Sequence, residues 1–190
     1  MNYLLHILIM INIYIILTVS ANLIVGLANL LSLGQAAFYG IGAYITAWAL
    51  MTLGLTLLPA LLLSILITAF IGFIIGIISL RLKDDYFILA TLGFQIIIYT
   101  ILYNWISVTR RPYGIPGIPA PELFGWLKID GILPFFILSS LLALGVVFIF
   151  KNLIYSPFGR ALKAMRDDSI ALLSLGRSTT KLKTQAFTIA

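Results

Sequence analysis

The first 80 residues of this chain contain no Lys, Arg, Asp or Glu; Arg81 is the first charged side chain, and only His6 before it can titrate. A run of that length exceeds any buried core helix and has room for roughly three or four bilayer crossings at about 20 residues each. In hydrocarbon every backbone polar group has to be satisfied within a helix or within the protein. The run therefore reads as helices with protected connections, and the chain as all-α and polytopic.

Composition agrees. The 190 residues are 62% hydrophobic and 9% charged, where a soluble domain carries about 25% charged residues. The mean hydropathy is +1.13. The start does not read as a signal peptide: no basic segment precedes Tyr3, and the apolar run outlasts the roughly 7–15 residues of such a peptide. With no cysteine there is neither a disulfide nor a thiolate metal site. No metal or cofactor is expected. The net charge of +6 is no sign of nucleic acid, because seven of the twelve basic residues lie between Lys151 and Lys183, where their meaning is topological.

Four apolar regions make one membrane domain over 1–190: 1–80, with breaks near Ala21–Ser32 and Gly54–Pro59; 86–109; 131–150; and a last one from Thr184 to Ala190. Arg81–Asp85 reads as a charged turn. The segment 110–130 holds Pro112, Pro116, Pro119 and Pro121 with Gly114 and Gly117, which rules out a continuous helix. If 86–109 and 131–150 each cross once, Arg81–Asp85 and Lys151–Lys183 share a side with nine Lys/Arg between them, against three in 110–130. The positive-inside rule then places 151–183 in the cytoplasm and the Pro-rich loop outside. The side of the N-terminus stays open, since 1–53 reads either as two full crossings or as a broken, partly re-entrant helix. Seven residues from Thr184 are too few to span, so the chain is expected to be an N-terminal portion of a longer one.

The most informative polar segment is Ser156–Gly176. Ser156 suits an N-cap, Pro157 the first helical position and Gly176 the C′ position; a second helix start falls at Asp168 or Ser169. Phe158, Leu162, Met165, Leu172 and Leu173 supply an apolar side, with Arg160, Lys163 and Arg166 opposite. Two readings stand: an amphipathic helix lying among anionic lipid headgroups, or a docking helix for a cytoplasmic partner.

The segment SPFGRALKAMRDDSIALLSLGRSTTKLKTQAF resembles the cytoplasmic loop of the branched-chain amino acid ABC transporter permeases, the LivM/LivH type. The matching positions are Ser156, Pro157, Gly159, Arg160, Ala164, Arg166, Asp167, Asp168, Ala171, Gly176, Lys183, Ala186 and Phe187. The stretch from Ser20 to Leu50 is similar to the family's glycine-rich early segment. RLKDDYFILATLGF followed by YGIPGIP looks like the LivM subgroup in particular. The matches run from about Ala21 to Ala190. The sequence departs from the pattern at Arg110–Arg111, Ser169 and Leu172.

The resemblance implies a permease subunit of an ABC importer, with branched-chain amino acids as the solute. It implies cytoplasmic ATP-binding subunits, a second permease subunit and an extracytoplasmic solute-binding protein as partners, in a cell membrane whose lipid surrounds the helices. Arg160, Arg166, Asp167, Asp168, Ala171 and Gly176 are then the residues that couple to the ATPase. Relatives with similar membrane subunits serve urea, short amides and sugars.

Inside the apolar regions, Gly26, Gly34, Gly40 and Gly42 allow close helix packing, as does the Gly72/Gly76 step. A break near Ser32–Gln35 suits a cavity-lining segment. Gln35 and Gln95, with Asn12, Asn22, Asn29, Thr91 and Asn104, are polar groups at membrane depth that either bond to neighbouring helices or line a path. A self-contained carrier would need inverted repeats and a midplane site, and no convincing self-similarity is present. An intramembrane enzyme would need a nucleophile and base or a metal set, for which one His and no Cys are poor material. No P-loop Lys-Ser/Thr follows the glycines, so ATP is not hydrolysed here.

Overall fold

The structure, a computed structural model, describes residues 2–82, 84–105, 109, 115–118, 122 and 131–190. Of the expected Pro-rich loop it describes only 115–118 and Glu122, so Arg110, Arg111, Pro112, Tyr113, Gly114, Pro119 and Pro121 lie outside the described residues, as does Lys83.

Helix α1 spans Asn2–Asn22 and runs on into a π turn, Leu23–Leu27. Then come α2, Gln35–Thr52; α3, Leu57–Ser79; α4, Asp84–Asn104; and α5, Ile132–Tyr155. Three short helices follow: α6, Pro157–Asp167; α7, Ser169–Ser174; and α8, Thr179–Ile189. α1 with its π turn, α3, α4 and α5 are each long and apolar enough to cross a membrane. α2 has 18 residues but carries Gln35, three tyrosine or tryptophan rings and two glycines, which dilute its hydropathy. The side chains pointing away from the bundle are apolar: Leu144 is 71% exposed, Leu66 68% and Phe148 64%. Water would not tolerate such a surface, whereas lipid tails would. This is an all-α, multi-pass membrane protein.

Contacts fix the directions of the helices. Asn12 of α1 meets Ser139 of α5, and the π turn that ends α1 is in one apolar cluster with Leu153 and Ile154 at the end of α5, so the two run parallel. The Asn12 amide donates to Ser139 Oγ at 3.1 Å and Ser140 Oγ at 2.9 Å, which ties them together. α2 is antiparallel to α3: Ser64 Oγ donates to Gly42 O at 2.9 Å, and Gly72 faces Phe38. α2 is parallel to α4, with Gly34 against Phe94 and Gly40 against Leu102. One end of the bundle therefore gathers the start of α1, the α2–α3 connection and the start of α5. There Leu57 N donates to Glu122 O at 3.0 Å. The other end gathers the π turn, the α3–α4 turn and α6–α7. The N-terminus thus falls at the same end as the described part of the Pro-rich loop.

Three boundaries differ from the sequence reading. α4 begins at Asp84, so the end of the expected charged turn Arg81–Asp85 belongs to the helix. α4 stops at Asn104, five residues before Thr109. α5 continues to Tyr155 and includes Lys151.

Candidate functional site

The charged segment after α5 is built from three local signals. Ser156 caps α6: its hydroxyl accepts from Gly159 N at 3.2 Å, and Pro157 occupies the first turn, where no amide donor is needed. Asp168 ends α6 and caps α7, its Oδ1 accepting from Ile170 N at 2.9 Å and Ala171 N at 3.0 Å. α7 closes in a Schellman motif. Gly176 has φ +75°, Gly176 N donates to Leu173 O at 2.9 Å and Arg177 N to Leu172 O at 3.3 Å.

α6 lays its apolar face on the protein. Leu162, Met165 and Leu172 are buried with Leu23, Ile24 and Leu27 of the π turn and Leu182 of α8. Gly159 sits so close to the end of α5 that an added Cβ would lie 2.5 Å from Leu153 O and nearer still to Ile154 O. Arg160, Lys163, Asp167, Asp168 and Ala171 remain exposed. Arg160 Nη1 donates to Tyr155 O at 3.3 Å, and Lys163 Nζ sits 5.9 Å from the Tyr155 ring centroid. Leu173, assigned to the apolar side from sequence, is instead exposed with Ile170 (75%) and Leu175 (78%). The new helix start at Asp168 breaks the periodicity that placed it.

The break after α1 has two parts. In the π turn, Ala28 N reaches Leu23 O at 3.2 Å and Leu30 N reaches Ile24 O at 3.1 Å. These longer steps leave Gly26 O to accept from Arg166 Nη1 of α6. Beyond it, Ala28–Gly34 is not helical, and Asn29 takes the left-handed φ of 52°. Thr91, fully buried, supplies this segment with a partner: its hydroxyl accepts from Leu33 N at 3.2 Å and donates to Ile88 O at 3.0 Å. Thr91 is seven residues into α4, about 10 Å of helix rise. The segment thus lies beside the first two turns of α4, and α2 starts there. Of the two readings of 1–53, the broken helix is the one adopted.

A cluster of rings joins α8 to this region. Phe187 packs edge-on against Phe38 of α2 at 5.6 Å and Phe87 of α4 at 6.0 Å, and Phe38 meets Phe94 at 5.2 Å. Gly76 gives Phe187 its seat, since a Cβ there would lie 3.2 Å from the ring. The Gly72/Gly76 step receives aromatic side chains of α2 and α8 rather than the backbone of another helix.

The polar residues at depth divide into bonded and unbonded. Asn104 Nδ2 donates back to Thr100 O at 2.9 Å. Gln35 Nε2 and Thr68 Oγ1 are buried atoms without a hydrogen-bond partner. Both residues line a cavity of about 350 Å³ between α1, α2, α3 and the end of α8, as does Gly42. Gln95 and Gly40 line another, of about 490 Å³, between α2 and α4 with Tyr44, Tyr99 and Tyr103. Gly26 and Gly34 belong to the break, away from both cavities. The sequence reading did not single out Thr68 or Ser64, and it gave Phe38 only as a matching position of the family's glycine-rich segment. Each acts through contacts with residues more than 20 positions away, and a Thr or Phe in an apolar helix carries no local signal of that. Among the described residues no group of three or more His, Cys, Asp or Glu is arranged to hold a metal ion.

The sequence model of the family described as "Branched-chain amino acid transport system / permease component" matches residues 3–190. The chain is 38% identical to the high-affinity branched-chain amino acid transport system permease protein LivM of Salmonella typhimurium and of Escherichia coli, over 94% of this chain and 47% of each of theirs. It is 30% identical to a probable LivM permease of Methanocaldococcus jannaschii over 68% of this chain and 38% of that one. The chain spans about half the length or less of these relatives. No solved structure gives a significant match.

Proposed function

The chain belongs to the branched-chain amino acid transport permease family, and from that premise we propose that it is the membrane permease subunit of a binding-protein-dependent ABC importer for leucine, isoleucine and valine. ATP is hydrolysed by separate cytoplasmic subunits, a second permease subunit completes the path, and an extracytoplasmic solute-binding protein delivers the solute. The α6–α7 end faces the cytoplasm of the cell, as its share of Lys and Arg requires. The N-terminus and the Pro-rich loop face outward.

The observation that carries the coupling role is the division of α6–α7 into two faces. Leu162, Met165 and Leu172 are packed on the bundle. Ile170, Leu173 and Leu175 stand exposed among Arg166, Asp167, Asp168 and Arg177. A helix lying on lipid would turn its buried apolar residues to the bilayer; here protein already covers them. The exposed mixture of apolar and charged residues suits a protein partner. Arg166 and α8 then connect that partner to the broken segment inside the membrane.

The substrate is tested by uptake of labelled leucine, isoleucine and valine in cells with and without the gene, with urea and ribose as comparison solutes. Gene-dependent uptake of the branched-chain amino acids supports the assignment. Uptake of urea or ribose instead keeps the importer and overturns its substrate. The docking role is tested with Asp168→Lys and Gly176→Pro, which should abolish uptake while the protein stays in the membrane. Full uptake in either variant would contradict docking.

A further inference from the structure

We infer that Arg166 is a positioning residue of the transport cycle: it holds the π turn Leu23–Leu27 open by occupying Gly26 O, and a shift of α6 that withdraws it lets the turn close into α-helix. This rests on the permease reading above and gives Arg166 an inward task rather than a contact with the ATPase. The carbonyl partners carry the inference. A continuous α-helix would pair Ala28 N with Ile24 O and Leu30 N with Gly26 O, each four residues back. Ala28 N instead reaches Leu23 O at 3.2 Å, and Leu30 N reaches Ile24 O at 3.1 Å. Gly26 O, left without Leu30 N, accepts from Arg166 Nη1. Two donors therefore compete for one carbonyl: Leu30 N closes the helix, and Arg166 keeps it open. A charged donor makes the stronger bond. Met165, next to Arg166, is buried among Leu23, Ile24 and Leu27, so α6 grips the turn with two adjacent residues and cannot shift without disturbing it.

Asn29 pulls the other way. Its φ of 52° is left-handed backbone, costly for any residue but glycine, and a helix carried on to Leu30 would return it to the right-handed region. The turn thus has opposed biases within a few residues, as an element with two arrangements requires. Its state reaches α2. A residue taken into a helix advances the chain by about 1.5 Å, against about 3.3 Å when extended. Closing the turn draws Ala28–Gly34 toward α1. Leu33, whose amide is held by Thr91 Oγ1 at 3.2 Å, is the next point to yield, and Gln35 at the start of α2 follows.

The absence of native cysteine lets paired spin labels report the turn. Leu31→Cys in the broken segment and Phe148→Cys on α5 are both at exposed positions. The labelled chain is assembled with its partner subunits in proteoliposomes without nucleotide. One distance is expected with Arg166 and with Arg166→Lys, which keeps a cationic donor. Arg166→Met, which has no donor, should add a second, distinct distance. Asn29→Gly removes the cost of the left-handed φ, and in the Arg166→Met background it should cut that second population at least three-fold. Unlabelled vesicles should lose leucine uptake at least ten-fold with Arg166→Met while ATP hydrolysis stays within two-fold of wild type; Arg166→Lys should keep more than half of the uptake. A distance unchanged by Arg166→Met, or a second distance that Asn29→Gly leaves as it was, overturns the two-state turn. Uptake and hydrolysis that fall together in complexes whose subunits still copurify make Arg166 a docking contact and overturn its inward role. Wild-type vesicles that move no leucine overturn the permease reading, and the distances still decide the turn.

Discussion

Arg166 Nη1 donates to Gly26 O across 2.5 Å, joining the exposed helix α6 to the π turn that ends α1. The two residues are 140 positions apart. The bond exists because a π turn frees carbonyls that an α-helix would use internally. It places a cation of the charged segment at the start of the broken stretch Ala28–Gly34, while Phe187 of α8 touches Phe38 just beyond that stretch.

Arg166→Gln should loosen this stretch without unfolding the bundle. The bond is solvent-exposed, so its loss is worth about 1 kcal/mol, roughly a five-fold change in a local opening equilibrium. Hydrogen exchange of the amides from Ala28 to Gly34 should quicken by about that factor, and those of α5 should not change. Equal exchange in both proteins would remove Arg166 from the account of the break.

Thr91→Val should be costlier than its size suggests, because it leaves Leu33 N without its acceptor. The expected loss is about 1–3 kcal/mol, read as a lowered melting temperature of the purified protein. Thr91→Ser keeps the hydroxyl and should melt within a few degrees of wild type. A valine variant as stable as the serine variant would mean that another group satisfies Leu33.

Gly159→Ala tests the corner between α5 and α6. The added methyl group meets two backbone carbonyls that cannot rotate away, and such overpacking costs about 1–3 kcal/mol. Gly176→Ala offends differently: there is open space, but φ is +75°, a cost of about 1 kcal/mol. Melting curves should therefore order the proteins wild type, Gly176→Ala, Gly159→Ala. The reverse order would contradict the close approach at Gly159.

Asn12→Leu should weaken the α1–α5 pair by about 1 kcal/mol, since interhelical hydrogen bonds in membranes are worth little more. Denaturant unfolding in detergent micelles measures it. Combining it with Ser139→Ala and Ser140→Ala should add almost nothing, because all three changes remove the same two bonds.

Local chemistry was the legible part of the sequence. Ser156, Asp168 and Gly176 act as caps because capping depends on side chains within a few residues of the helix end. The uncharged run, the break before Gln35 and the long apolar helices follow from solvent in the same way. What was not legible depends on distant partners. Nothing near Arg166 names Gly26 as its acceptor, and nothing near Gly76 names Phe187 as its neighbour. Leu173 was misplaced because one helical period was carried through Asp168, where a new helix begins. Gln35 was picked out as polar at depth, but its lack of a partner, and the same condition of Thr68, emerge only once α2 and α3 are side by side.

The most direct test of the permease assignment is the energy source for leucine uptake, measured in cells carrying the gene at submicromolar leucine. One sample has its proton gradient collapsed with ATP maintained; another is depleted of ATP with the gradient intact. The account predicts that uptake persists in the first and stops in the second. Uptake that stops with the gradient and survives loss of ATP would contradict it and make the protein part of a secondary carrier.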